Sequence, residues 1–474
     1  MSDHAAIEIV EPNDAAVGTD AAWTTEEEQF ETAETPPHAP PHAPPHAPAV
    51  GSPDDTVTRC LAQVKRLLQE APGGSPAETS PHTIFRVPQP LRGIDPEAEE
   101  PEIVSIGPYH REQPQVLVFE RLKPRFLESF LHRTKSDLKG LAEFVAGEES
   151  SARSCYSEHV DMTSSDFVQM MLLDSCFVLE LLLHFCESDA TDEYDPIFAR
   201  PQIIPILIRD LLKLENQIPY FLLHSLFNRA VPSNLKGERG SLAILALKLF
   251  NLAYPRPMAL FKSWENLEGE HLLDLLYKSL SPARPKSTKE SWSLAQSVPC
   301  VTELRPSRIY FESEKADSLL DISFHERILQ IPEIAINDFM TTVLINCVSL
   351  DQCRENRSKY MTDYVSFMHC LINQPKDVSL LRSDGIIALY SRDDQYVADL
   401  FSKLGKSISF NVHDCFLSKQ FEELESYYRS NRAKMMRTYF SCPWSVISLF
   451  SAFLIVVLTI TQTVMAILAY RFHR

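Results

Sequence analysis

From Ser445 to Tyr470 the chain runs for 26 residues, SVISLFSAFLIVVLTITQTVMAILAY, without one charge. A helix rising 1.5 Å per residue would reach about 39 Å over that length, enough to cross a hydrocarbon core of roughly 30 Å with some tilt. A soluble fold would have to enclose such a helix on every side, so the run predicts one C-terminal transmembrane helix. Trp444 and Tyr470 bracket it as interfacial aromatics do, Ser445 opens it and Phe453 lies in its apolar body. Arg429, Arg432, Lys434 and Arg437 precede the span and only Arg471 and Arg474 follow it. That bias predicts that the preceding chain stays in the cytosol, at the plasma membrane or an endomembrane. Only four residues follow Tyr470, so post-translational insertion is expected, as in tail-anchored proteins. Cys442, at the membrane edge, is a candidate for S-palmitoylation, with an unmodified interfacial thiol as the alternative.

The other end of the chain has the opposite character. Residues 1–58 contain no Lys or Arg but twelve Asp and Glu, so this stretch supplies most of the net charge of −19. Within it PPHAPPHAPPHAP, residues 36–48, repeats a four-residue unit, and paired prolines favour an extended polyproline II arm over any packed core. His38, His42 and His46 recur in that repeat and suit weak metal binding, a Pro-reading partner or a plain solvated spacer. A short helix is expected over Val57–Gln69. The acidic balance disfavours nucleic acid as a partner. Ten cysteines without a Cys-x-x-Cys pair match a reduced compartment, and the N-terminus lacks the basic and apolar regions of a secretory signal.

Between these ends the sequence predicts a mainly α fold: a large helical domain with a small β element. The expected organisation is a disordered acidic and Pro/His-rich arm over 1–80, a helical globular domain over 81–412, an amphipathic juxtamembrane helix over 413–443 and the anchor over 444–471. In Phe167–Phe185 apolar residues recur at helical spacing and the opposite side is also largely apolar, which predicts a central, buried helix. Asp174 and Glu180 fall inside it and each needs a partner. In ILIRDLLKLENQIPYFLLHSLF, residues 206–227, Pro219 removes a backbone donor and restricts Ile218. One helix should therefore end near Leu214 and the next begin at Pro219, with Glu215, Asn216 and Gln217 capping the exposed amides and carbonyls. The acidic run Asp95–Glu102 reads as a surface loop and residues 281–300 as an exposed basic one. Alternating apolar residues over Arg308–Glu312, Leu319–Phe324 and Ile328–Ile336 predict short strands, the last an edge or irregular strand because of Pro332.

Chemistry-bearing motifs are scarce. Only 13 glycines occur in 474 residues, about 2.7% against a usual level of roughly 7%, which disfavours Gly-rich phosphate cradles. The sequence has no Gly-x-Gly-x-x-Gly, Gly-x-x-x-x-Gly-Lys, Gly-x-Ser-x-Gly or His-Glu-x-x-His motif, so the simplest Rossmann, P-loop, hydrolase and zincin readings fall away. Glu268-x-x-His271 has the spacing of a di-iron pair but no second copy, and a solvated helix start explains it better. Glu180 and His184, at i and i+4, fit buried hydrogen bonding better than a metal site. No cofactor or catalytic residue is therefore expected. The rival reading is an enzyme assembled from Asp174, Glu180 and Glu215, or from His110 and His224, if folding brings them together.

Several ordered segments resemble one plant family, the domain of unknown function 247, whose members carry a C-terminal membrane anchor. They begin with IFRVPQPLR at 84–92, VSIGPYHR at 104–111, ERLKPRFLESFLHR at 120–133 and MMLLDSCFVLELL at 170–182. DLLKLENQIPYFLL at 210–223, HLLDLLY at 271–277, LLDISFHERILQIPEIAIND at 319–338 and LTITQTVMAILAY at 458–470 continue the series. The chain departs from the family at Ser175, where Gly is commoner, and at Ala388–Asp394, where a short Asn/Gly turn is usual. The resemblance implies a helical plant protein with a membrane tail and no established reaction. Some grass members resemble self-incompatibility determinants, so the resemblance also implies a recognition role in pollen or stigma as one reading, which does not follow from the residues themselves. The expectation is a membrane-anchored, cytosol-facing interaction protein.

Overall fold

The computed structural model describes residues 61–66, 82–185, 202–232, 240–282, 298–355, 357–390, 392–410, 415–439 and 443–472. The chain divides into a unit over Met1–Ala77 and a second over Glu78–Arg474. In the first, residues 61–66 form an exposed helical turn inside the predicted Val57–Gln69 helix. The remaining arm, with His38, His42 and His46, lies outside the described residues, as does most of the basic loop at 283–297.

Two apolar helices organise the second unit. One, α3 (Ser164–His184), starts where the Thr163 hydroxyl accepts the Asp166 amide, and fourteen of its residues are buried. Before it, α1 (Lys123–Thr134) and α2 (Leu138–Gly147) pack on α3 through faces led by Phe126, Phe130, Leu141 and Val145. The rings of Phe126 and Phe177 meet edge-on at 4.8 Å, a favourable aromatic geometry. After it come α4 (Ile203–Asp210), α5 (Tyr220–Ala230), α6 (Leu242–Phe250) and α7 (Leu272–Leu280). Both α5 and α6 close on α3.

The second organiser is α8 (Asp338–Cys353), capped by Asn337 and buried over most of its length. Around it and beyond it pack α9 (Tyr360–Leu371), α10 (Pro375–Ser383) and α11 (Asp394–Ser407). Strands β1 (Tyr310–Glu314), β2 (Ser323–His325) and β3 (Ile328–Pro332) form a sheet in the order β1-β3-β2. β1 pairs parallel and β2 antiparallel with β3, while β4 (Ile334–Ile336) pairs parallel with β5 (Ile387–Leu389). The tail is α12 (Ser418–Arg429), α13 (Asn431–Tyr439) and α14 (Pro443–Phe472). The mainly α class with a small β element is thus the fold observed.

Several local expectations are corrected. The Ile328–Ile336 run is irregular as one of the two expectations had it, since it breaks after Pro332 into β3 and β4 in separate sheets. The edge alternative is corrected, because β3 is the middle strand, and Pro332 is tolerated as its last residue, where one lost donor does not interrupt the ladder. The acidic run is not a loop: Pro96–Glu99 forms a helical turn packed on α8, with Ala98 and Glu99 buried. The helix before Pro219 ends at Asp210, four residues early, because residues 211–219 are drawn into a polar turn. The amphipathic run after 413 breaks at Ser430 into two helices, and Phe421 and Leu424 pack α12 into the core.

Length and composition qualify two helices to cross a membrane, and packing separates them. In α3 78% of the apolar stretch is buried by the rest of the protein, against 0% for Phe450–Phe472 in α14. The first is the core helix that its period and its two carboxylates predicted. The second keeps Phe453 and Tyr470 exposed at 62% and 71%, as lipid contact requires.

Candidate functional site

An irregular stretch, residues 82–107, crosses the helical body, and its backbone amides and carbonyls need partners inside a largely dry environment. The turn between α4 and α5 supplies them. Asp210 accepts the amides of Glu102, Ile103 and Val104 at 2.9, 2.8 and 3.0 Å. Asn216 accepts the Ile106 amide at 2.6 Å and donates to the carbonyls of Val104 and Asp210. Glu215 accepts the Val87 amide at 2.7 Å, and Lys213 donates to the Glu100 carbonyl at 2.5 Å. From α8, Asn346 donates to the Ala98 carbonyl and accepts the Leu214 amide, both at 2.8 Å. Gln217 donates to the Leu211 and Lys213 carbonyls and accepts the Leu273 amide, so it closes the end of α4 and the start of α7 together. Pro219 then starts α5. Of the predicted capping, Asn216 satisfies the last carbonyl of α4 and Gln217 an amide in the first turn of α7, while Glu215 and the other contacts of Asn216 go to the distant segment.

Charges lock the same stretch. The Glu215 side chain, 1% exposed, meets Arg86 at 2.8 Å, Arg92, and His110 Nε2 at 3.1 Å. Burial alone pushes its carboxyl up, but His110, Arg86, the Val87 amide and the Arg92 charge outweigh that and hold it at about 2, against an ordinary 4.5. Arg86 also stacks over the Tyr109 ring at 3.9 Å. On α3, Asp174 accepts the Gly107 amide at 2.8 Å and pairs with Lys123 Nζ at 2.5 Å. Lys123 also binds Glu120 and donates to the Ser105 carbonyl at 2.6 Å. Glu180 receives Arg133 at 2.8 Å.

Gly107 makes this crossing possible. It sits at φ +81°, and a Cβ there would stand 2.5 Å from the Gln217 carbonyl oxygen. Gly107→Ala is expected to destabilise the protein by about 3 kcal/mol, combining left-handed strain with a backbone clash. A change under about 0.5 kcal/mol in urea unfolding of the full chain would contradict this account of the crossing.

A second polar network lies where α7 meets α8. Asp274 pairs with Arg354 at 2.7 Å and with Lys278 at 3.1 Å, and Arg354 reaches Glu270 at 2.6 Å. His271 caps α7 by accepting the Asp274 amide, but it is fully buried and not the solvated start expected; burial pushes it down to about 4. Burial also pushes Asp351 up to about 6 and Asp363 up to about 7, and these accept the Thr362 and Phe416 amides.

The carboxylates singled out in the sequence are therefore not brought together: Asp174, Glu180 and Glu215 each face different cations. His110 does meet Glu215, but both are buried, while His224 is exposed beside Asn228. Among the described residues no group of three or more His, Cys, Asp or Glu could hold a metal. Two open grooves of about 760 and 500 Å³ lie near Asp161 and near Asp317, and neither is lined by any of these five residues. Asp210, Lys213, Lys123, Asn346 and Arg354 escaped the sequence reading. A Lys at i+3 from an Asp, and an Asn within an apolar helix, were the only local signals.

The second candidate element is α14, long and apolar enough to cross a membrane. Trp444 and Ser445 lie in its first turn, and the placement of their side chains, like all of Cys442, is outside the described residues. All seven described cysteines are free thiols.

Comparison with known proteins places these features in a family. UPF0481 protein At3g47200 of Arabidopsis thaliana is 30% identical over 417 residues, which cover 82% of this chain and 86% of that protein. A second UPF0481 protein of the same plant, At3g02645, is 21% identical over 504 residues, covering 85% of this chain and 94% of that protein. No solved structure matches. The profile of DUF247, described as a plant protein of unknown function, spans residues 84–458, a range that takes in the clamped segment, the polar turn and much of α14. The chain belongs to the plant DUF247 family.

Proposed function

We propose that this protein is a membrane-anchored interaction component that acts by binding a protein partner in the cytosol, not by catalysis. The observation that carries the reading is α14: its apolar length is wholly uncovered, while the other long apolar helix is core. The preference for binding over catalysis is supported by the use made of the buried charges, since Asp174, Glu180 and Glu215 are consumed in holding segments together. The cytosolic orientation is supported by Arg429, Arg432, Lys434 and Arg437 on the near side of the span.

Full-length protein made with microsomes is expected to resist carbonate extraction, and added protease is expected to digest the globular unit. Protection of that unit inside sealed vesicles would reverse the orientation. Partners are sought by proximity labelling from an N-terminal fusion, compared with Val457→Arg/Leu458→Arg. Each arginine at mid-span opposes insertion by about 2.5–3.5 kcal/mol. A partner set that needs the intact span supports the reading; identical labelling by both forms counts against it. The recognition role in self-incompatibility that the resemblance implies is the narrower form of this proposal. It expects allelic differences gathered on one exposed face, and an invariant surface would remove it.

A further inference from the structure

Glu425 is the last acidic residue in the sequence, so every charged side chain from Ser426 onward is positive in a protein whose net charge is −19. Folding turns that run into a surface. The Ser430 hydroxyl accepts the Ala433 amide and starts α13, whose Ala433 turns inward at 0% exposure. Arg432 and Lys434 are exposed, with Met435 between them and the span at 45% exposure. Neither cation has an ion-pair partner among the described residues, and Glu425 is taken by Arg429 at 2.5 Å. Arg437 folds back, donating to the Tyr428 carbonyl at 2.9 Å and covering the Tyr428 ring at 4.2 Å. Tyr427 donates to the Ser307 carbonyl at 3.2 Å, which sets the exposed Arg308 beside the same corner.

We propose that this basic face of α13, with Arg308 next to it, binds the anionic phospholipid headgroups of the leaflet that α14 enters. The inference rests on the membrane-anchor reading and adds a lipid chemistry to it. Two observations carry it. The charge is complementary to an anionic leaflet and opposite to that of the chain as a whole, so attraction is confined to this corner. The face is also continuous with the span: Tyr439 and Pro443 are four chain steps apart, at most about 14 Å even when fully extended. That bounds the Tyr439 end; Arg432 and Lys434 stand up to about 10 Å further along the helix. With α13 lying along the surface, both stay within reach of headgroup charge, whose screening length is about 10 Å at 0.1 M salt. Held there, the collar fixes how the acidic globular unit stands on a surface that otherwise repels it.

The test uses full-length protein in nanodiscs of phosphatidylcholine alone or mixed with phosphatidylserine, with hydrogen exchange followed over residues 428–439. Protection is expected to rise in the anionic discs and to fall at about 1 M salt, where screening shortens to about 3 Å. Arg432→Gln/Lys434→Gln removes two exposed, unpaired cations and leaves the packing of Ala433 intact. At about fivefold per surface cation, it is expected to lose roughly 25-fold of the lipid-dependent protection. Equal exchange in both discs, or an unaffected variant, overturns the proposal. Carbonate extraction separates the two readings: protein that stays in the membrane with equal exchange loses only the collar, whereas protein that is extracted loses the anchor and the collar together.

Discussion

Replacing Glu215 by Gln is expected to lower the stability of the folded protein by about 3 kcal/mol. The substitution keeps the volume and removes the charge on which Arg86, Arg92 and His110 converge. Breaking a buried ion pair typically costs about 3–5 kcal/mol, and the lower end applies because Arg86 and Arg92 are each 35% exposed and water relieves part of the loss. The expected result has a pH signature. The Glu215 carboxyl is depressed in the folded state, so its contribution is complete above its ordinary 4.5 and is lost as pH falls toward about 2. Asp351 and Asp363 are shifted the other way, so the Glu215 contribution is read as the difference between wild type and Glu215→Gln across that window. Urea titrations of full-length protein in detergent at several pH values measure it. Parallel stability curves from pH 6 to about 3 would sink this account.

Lys123→Met is expected to be at least as damaging, at about 3–5 kcal/mol. Lys123 is 1% exposed and stands between Asp174, also at 1%, and Glu120 at 14%. Burial, and next the Asp174 charge, already push Glu120 above its ordinary range despite the nearby lysine. Without the ammonium two carboxylates face each other, and the Ser105 carbonyl loses its donor. Adding Asp174→Asn should recover part of the loss, because the amide oxygen still accepts from Gly107 while one negative charge is gone. A coupling of roughly 1–3 kcal/mol in the double-mutant cycle is expected. Additive losses from the two substitutions would show that the three groups do not act as a unit.

These two sites show why local reading reached the elements sooner than their purpose. Helical period and the two carboxylates identified α3 as a buried helix that needs partners. The proline at 219 located the start of α5, but Asn216 and Gln217, expected at helix ends, stand inside the turn, six and seven residues after α4 ends. The partners of the charged residues were out of reach. Arg133 lies 47 residues before Glu180, Val87 lies 128 before Glu215, and Ala98 lies 248 before Asn346. A hydrogen-bond partner that far away leaves no periodic trace in the sequence. The same limit explains Pro96–Glu99: its acidic composition suggests a loop, while Gly93, Asn346 and the α8 surface make it a packed turn.

The sequence by itself determined the mainly helical class, the core helix and the apolar tail, because apolar period and the absence of charge are properties of contiguous residues. It also determined the reversal of charge after Glu425, which is simple counting. Tertiary structure alone decided that Asp174, Glu180 and Glu215 face separate cations and that Asp210, Lys213 and Asn346 grip a distant backbone. It alone decided that the run after residue 413 folds into two helices, the second with Arg432 and Lys434 exposed. The physical reason is that burying apolar area is non-directional and tolerates many arrangements, whereas a buried charge is stable only where its partners converge. That convergence is set by the path of the whole chain.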